Sequence, residues 1–370
     1  MSLTIDILDV GQGDGILVQF PNDATMIVDL GSTKNKGIVT DDSFKFFAQH
    51  TKFGSGEGQT IDALVLTHGD RDHYNMVIPF IRLFKPKIGA IFHGGAAAEH
   101  TGADGKNLIE WIKAYSASTH GNVPTASTGT AKFPVPLPGN WGKVDVQVLC
   151  MSLEAKGDAG YVKNSRSVVL KLAYAGEVVI LTGDATKDTE KHILAAFKGN
   201  LAPLQTDALK VDHHGSHRTS SYVPWIQAVN PWFLFLSADR SGALDEDQKT
   251  GHRLPQELTL DLYRRHASRL TQGAAKHNYV SSYQKSEYDA YNKEPDINGD
   301  KLNLPAGLPE QTWRNQTDGY GIFTTLAYAG MASATDADRG AHYRIEVPDA
   351  GGMTVTATDS FDKSALEGRK

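Results

Sequence analysis

The stretch "LTHGDRDHYN" packs two histidines and two aspartates into six positions, His68, Asp70, Asp72 and His73, directly after a short apolar run. Imidazole and carboxylate are the donors that hold divalent cations without thiolate help. A loop leaving a strand can aim alternating side chains to either side, so two ligand pairs can serve two neighbouring ions. The second pair precedes a predicted helix, whose N-terminal dipole also suits a carboxylate. A charged surface turn with a capping aspartate is the plain alternative.

Two further clusters sit at predicted strand ends. "ILTGDAT" places Asp184 where a carboxylate could bridge two ions, although Gly-Asp is also ordinary turn chemistry. "KVDHHGSHRTSS" offers His213, His214 and His217 with Ser216 and Arg218. Read as extended backbone, adjacent histidines point to opposite sides. One would then bind metal while the other faces substrate; a polar strand-to-helix loop explains the same residues. Asp29 in "IVDLGS" is placed to hydrogen-bond a metal-binding histidine from behind. Asp14, in the Gly-rich turn "DVGQGDG", is expected in the same supporting position, although a tight hairpin accounts for that turn equally well. No helix follows it, so it is not a dinucleotide fingerprint. His93, His100 and His120 stand alone and read as structural or exposed. "DINGDK" lacks the later glutamate of a calcium loop.

These clusters need strands to carry them. "LTIDILDV" alternates with a period of two, and "GILVQF" and "TMIVDLG" follow after turn residues. "IDALVLTH" and "KIGAIFHGG" read as strands, and 41–50 and 76–84 as helices, with another over 105–117. Residues 118–142 read as a loop. "KVDVQVLC", "SVVLKLAYAG" and "EVVILTGD" are strands, the last two a hairpin. Helices fit 186–197, "YVPWIQAV" and 254–270; "DALKVDHHGS" and "WFLFLSA" are strands. Residues 273–316 read as polar loop, and 317–330 and 342–358 as late strands. Strands with helices between them suit two sheets packed face to face with helices outside.

The 370-residue chain is 40% hydrophobic and 22% charged, enough for a sizeable core. A formal net charge of -6 argues against broad non-specific nucleic-acid binding, but not against a local basic groove. The single cysteine, Cys150, excludes an internal disulfide and a thiolate-rich zinc site. No apolar run reaches membrane-spanning length, and the first residues lack the form of a signal peptide. A soluble, cytoplasmic protein with no membrane association is the expectation.

Together the motifs resemble the metallo-β-lactamase superfamily, and more narrowly the hydrolase domain of ComEC-type DNA-uptake proteins. The matching pieces run in the family's order: "LDVGQGDGILV", "IVDLGS", "LVLTHGDRDHYN", "NSRSVVLKL", "VVILTGDAT" and "LKVDHHGSHRTSS". "GHRLPQELTLDLYRR" and "TDGYGIFTT" are looser matches. The resemblance implies an α/β fold, a four-layer αββα sandwich with C-terminal additions. It implies a hydrolase core over 1–272, an insertion or lid of unknown role over 273–316, and closing strands over 317–370. It also implies two divalent ions, manganese, zinc or iron. His68 and Asp70 would hold one, completed by Asn164 or Ser165. Asp72, His73 and His214 would hold the other, with Asp184 between them. An aspartate at 70, where a histidine is more usual, makes its half richer in oxygen and favours manganese or iron. Asp72, Asp184, His213 and His217 are the catalytic candidates, and Ser216, Arg218 and His252 the substrate-binding ones.

Departures are visible too. Tyr74 and Asn75 follow the histidine motif where the family often has Gly-Gly, and "SGALDEDQKT" interrupts the approach to His252. The implied reaction is phosphodiester hydrolysis by water activated between two ions, on DNA or RNA. Alternatives are a small phosphodiester such as a cyclic nucleotide or phosphocholine ester, a lactone, or a non-catalytic scaffold. The sequence names no protein partner.

Overall fold

The computed structural model describes residues 1–32, 58–119, 133–237, 253–270, 277–325 and 341–359. His120, His252, the 41–50 helix and the "SGALDEDQKT" segment therefore lie outside the described residues.

Two seven-stranded sheets carry the fold. In the first, the order is β16(Thr354–Asp359), β15(Ala341–Pro348), β1(Ser2–Ile7), β2(Gly15–Gln19), β3(Thr25–Leu30), β4(Thr60–Leu66) and β5(Lys87–His93). In the second, it is β14(Ile322–Thr324), β11(Phe233–Leu236), β10(Ala208–Lys210), β9(Glu177–Leu181), β8(Val169–Tyr174), β7(Asp145–Cys150) and β6(Val135–Pro136). Strands β3, β4 and β5 run parallel, as do β9, β10, β11 and β14.

Side-chain alternation builds the layers. Leu3, Ile5, Ile7, Ile16, Val18, Met26, Val28, Ala63 and Val65 meet Leu170, Leu172, Val179, Leu181, Ala208 and Phe235 between the sheets. The intervening Leu17, Ile27, Leu64 and Leu66 face outward, under α1(Val77–Phe84) and α2(Gly102–Thr119). On the far side, Val169, Ile180, Leu209, Leu234 and Leu236 are covered by α5(Val223–Val229) and α6(Glu257–His266). Both faces of each sheet are thus buried, which is why the parallel strands read as continuous apolar runs. Each large aliphatic side chain removed from water contributes about 1.5–3 kcal/mol. Two further helices complete the set so far, α3(Ala159–Ser165) and α4(Lys187–Ala196). The result is the αββα sandwich expected from the motifs.

Residues 273–316 differ from their polar, loop-like reading. They hold β12(His277–Gln284), α7(Lys285–Lys293) and the start of β13(Gln311–Asp318), with β12 and β13 forming an antiparallel pair. Tyr279, Tyr283, Tyr288 and Tyr291 bury their rings in the helix-covered cluster of the second sheet. Tyrosine hides this pattern in sequence because its ring is apolar and its hydroxyl polar. Among the described residues no helix is long and apolar enough to cross a membrane.

The parallel strands of both sheets end at one edge, and Gly183 lets the two sheets meet there. It has φ of +53°, and a Cβ on it would come within 2.7 Å of the Thr67 side chain. Gly31 does the same for the first sheet's loop, since its Cβ would fall 2.1 Å from the Asp72 carbonyl oxygen.

Candidate metal centre

Thr67 and His68 follow β4, Asp184 follows β9 after Thr182 and Gly183, and the histidine pair follows β10. Each strand therefore delivers its polar residue to the shared edge. Asp184 lies at the middle, and its two oxygens face different partners. Oδ1 is 3.2 Å from His73 Nε2 and 3.4 Å from His214 Nε2. Oδ2 is 3.7 Å from His68 Nε2 and 3.6 Å from His213 Nε2. Asp70 Oδ2 lies 3.4 Å from His68 Nε2, and Asp72 Oδ2 3.9 Å from His214 Nε2.

His68 Nε2, His73 Nε2, His214 Nε2 and Asp184 Oδ1 are buried and make no hydrogen bond. Buried polar atoms are rarely left so. His68, His73 and Asp184 each bring one donor atom within 4.8 Å of the others, as do Asp72, His73 and His214. Nitrogen and oxygen donors converging without protein partners fit a divalent cation.

The groups behind them fix the rings. Asp29 Oδ2 accepts from His73 Nδ1 at 2.7 Å and from the Thr67 hydroxyl at 2.5 Å, and Oδ1 accepts from the Thr67 N–H at 2.7 Å. This leaves His73 Nε2 to face Asp184. Asp14 Oδ1 is 3.8 Å from His214 Nδ1, 2.9 Å from the Lys210 ammonium and 2.7 Å from the Ser237 hydroxyl that donates to it.

Electrostatics follow this geometry. Burial opposes charge on Asp184, but His73, His214 and His213 more than offset it and hold the carboxyl well below its usual range. Burial also opposes charge on His73, yet Asp184 and Asp29 raise its pKa well above normal. A metal ion would take the place of that proton. Burial drops His214 to about 3, so it is a neutral ligand. Burial would raise Asp14, but Lys210 and His214 bring it down to about 2. Burial raises Asp72.

Of the residues singled out in the sequence, His68, Asp70, Asp72, His73, Asp184, His213 and His214 come together here. Asn164, Ser216 and Arg218 line the adjoining cleft of about 510 Å³, with Gln12, Asp158, Tyr161 and Thr219. Asn164 Nδ2 is 3.4 Å from the His213 ring nitrogens. Ser165 is excluded as a donor, because its hydroxyl is tied to the Tyr161 carbonyl and to Thr186.

Two expectations are corrected. His213 and His214 are not extended; both are left-handed, with φ of 44° and 52°. The turn sends both Nε2 atoms toward Asp184 rather than to opposite sides. His217 is turned away from the cleft: its ring packs edge-on to Tyr291, its Nε2 is 3.4 Å from Lys187 Nζ, and its N–H donates to Gln256. That position does not suit a proton donor to substrate.

The sequence reading missed Thr67, Lys163 and Lys210. Lys210 did carry a signal, a lone charge in the apolar strand before the histidine pair. Lys163, in "VKNSRS", carried none.

The family model for the metallo-beta-lactamase superfamily matches residues 8–222, which span every motif of the cluster. The chain belongs to the metallo-beta-lactamase superfamily. It is 26% identical over 291 residues to ComE operon protein 3 of Bacillus subtilis, covering 72% of this chain and 31% of that protein. It is 24% identical over 241 residues to competence protein ComA of Neisseria gonorrhoeae, covering 65% of this chain and 27% of that protein. The chain thus spans about a third of these relatives' length, and the ComEC-type resemblance holds over that part. Among solved structures, the metallo-beta-lactamase fold protein YhfI of Bacillus subtilis is similar at 15% identity, covering 63% of this chain and 85% of that one, with a TM-score of 0.36. Igni18, a metallo hydrolase of Ignicoccus hospitalis, is similar at 12% identity, covering 63% and 81%, with a TM-score of 0.35. Within that superfamily, this chain's His/Asp cluster can hold divalent ions.

Proposed function

We propose that this chain is a metal-dependent hydrolase that cleaves phosphodiester bonds, acting as a nuclease on DNA or RNA. The observation that carries the reading is the division of Asp184, with His73 and His214 on one oxygen and His68 and His213 on the other. A carboxylate faced in this way suits two neighbouring cations, the arrangement used for in-line displacement at phosphorus. Divalent ions held there supply Lewis acidity and activation of water at neutral pH.

The chain's own residues do the rest. Arg218 lines the cleft and offsets charge on a bound phosphate. His213 has its Nδ1 2.7 Å from the Thr219 hydroxyl, which fixes the ring with Nε2 toward the cluster. It is placed to hand a proton to a leaving oxygen. The Tyr161 side chain forms part of the wall. A relative named as a competence protein, ComA of Neisseria gonorrhoeae, favours a polynucleotide over other diesters.

A second reading is a small phosphodiester. The cleft is about 510 Å³, and Asp70, Asp72 and Asp158 line it together with Arg218. That acidic lining, with the net charge of -6, suits a short substrate as well as a long one.

Hydrolysis of single-stranded DNA and of bis(p-nitrophenyl) phosphate should be measured side by side with manganese, with Asp184→Ala as control. Cleavage of both, lost in the variant, is the expected result. Cleavage of the ester alone moves the assignment to small diesters. Cleavage of neither by a metal-loaded protein overturns both readings.

A further inference from the structure

We propose that Lys163 is a built-in cation that competes with one metal ion for Asp70, so that the cluster takes its two ions with unequal affinity. The proposal rests on the metal-centre reading above.

Lys163 lies in the last turn of α3, and its Nζ is 2.6 Å from Asp70 Oδ1. The other oxygen, Oδ2, faces His68 Nε2 at 3.4 Å. One carboxylate is thus shared between an ammonium and the half of the cluster built on His68. That half has His68, one oxygen of Asp70 and Asp184 Oδ2 at 3.7 Å, and Ser165 is occupied elsewhere. His213 Nε2 also approaches Asp184 Oδ2, so the two halves differ in the ammonium and not in donor number.

The other half differs. Asp72, His73 and His214 bring donor atoms within 4.8 Å of one another, beside Asp184 Oδ1. No lysine or arginine lies within ion-pair distance of Asp72 or Asp184 among the described residues. An ion entering this half meets no resident positive charge on Asp72 or Asp184; the Lys210 ammonium lies behind it, on Asp14.

An ion entering the His68 half must either displace the ammonium from Asp70 or sit beside it. Both routes cost binding free energy: the first breaks a charge-assisted hydrogen bond, and the second places like charges close together where solvent is partly excluded. Lys163 and Asp70 are each largely covered, with side chains 23% and 29% exposed, so screening by water is incomplete. The lysine therefore sets the affinity of the second ion without touching the first.

Metal-free protein should be titrated with manganese(II) by calorimetry, with free manganese followed by electron paramagnetic resonance. Wild type, Lys163→Met and Lys163→Arg are compared, with circular dichroism to verify folding. Lys163→Gln replaces the methionine variant if that one does not fold. Wild type should bind one ion tightly and a second at least about tenfold more weakly. Removing the charge should tighten the second ion by about tenfold, leave the first unchanged, and be reversed in Lys163→Arg. Two equal constants in wild type, or identical constants in wild type and Lys163→Met, would overturn the proposal while leaving the metal centre intact. No manganese binding by any form would overturn the metal centre itself.

Discussion

Asp29 occupies a left-handed backbone position, with φ of 56°, and still accepts three hydrogen bonds. Non-glycine residues rarely adopt this conformation, and asparagine and aspartate tolerate it best. Asp29→Asn should therefore fold, since the amide keeps the backbone preference and one oxygen. It cannot accept from both Thr67 groups and His73 at once, so the His73 ring loses its fixed orientation. Loss of such a supporting carboxylate typically lowers metal affinity by about 10–100-fold. A manganese titration of Asp29→Asn should show that drop with a nearly unchanged melting temperature. An unchanged affinity would mean that Thr67 and the packing alone hold the ring.

At the scale of elements, α7 reaches the loop of the histidine pair through Gln256. Gln256 Oε1 accepts from the His217 N–H at 2.6 Å, and its Nε2 donates to Glu287 Oε1. The other Glu287 oxygen is buried without a hydrogen bond, and burial pushes this carboxyl up to about 8, with Arg218 pulling weakly the other way. The sign follows from proton linkage. Between an unfolded value of about 4.3 and the folded value of about 8, the folded chain binds the extra proton. Stability is thus lost as pH rises through that window, by at most about 1.4 kcal/mol per unit, and by less because the group is only partly buried. Glu287→Gln mimics the neutral form and should flatten the curve. Thermal melts from pH 5 to 8 should diverge, with the variant gaining on wild type as pH rises. Parallel curves would show that Glu287 is ionised in the folded protein.

This segment also shows where sequence reading succeeded and failed. Strands such as β3, β4 and β9 were legible because buried alternation and apolar runs leave a direct trace, and their terminal His68 and Asp184 came with them. Tyr279, Tyr283, Tyr288 and Tyr291 were not, since a tyrosine-rich strand and helix look polar by composition. The left-handed turn at His213 and His214 was invisible as well. It depends on tertiary contact, including the His213 N–H donating to the Gly183 carbonyl, and not on local propensity. Lys163 meets Asp70 across 93 positions of sequence, a separation no local pattern spans.

For the whole molecule, the decisive contacts are those that close the first sheet around its earliest strand. β15 pairs with β1 from Ser2↔Pro348 to Ile7↔Tyr343, placing the penultimate strand beside the first one. Tyr343, Ile345 and Val347 enter the core between the sheets. Arg344 donates to both oxygens of Asp6 at 2.7 and 3.0 Å, and His342 Nδ1 accepts the Asp9 N–H at 2.9 Å. The last bond anchors the start of the turn that carries Asp14 behind His214. Removing residues 341–370 would strip three large apolar side chains, worth about 1.5–3 kcal/mol each, and expose an unpaired β1 edge. That loss is comparable to the total stability of an ordinary domain, about 5–15 kcal/mol. The truncated chain should therefore show no cooperative melt and should aggregate on expression, even though every candidate metal ligand is retained. His342→Ala is the gentler test: it should cost about 1–2 kcal/mol and weaken manganese binding through Asp14. If the truncated chain melts cooperatively near the wild-type temperature and still binds manganese, the C-terminal strands are an appendage and the metal centre stands without them.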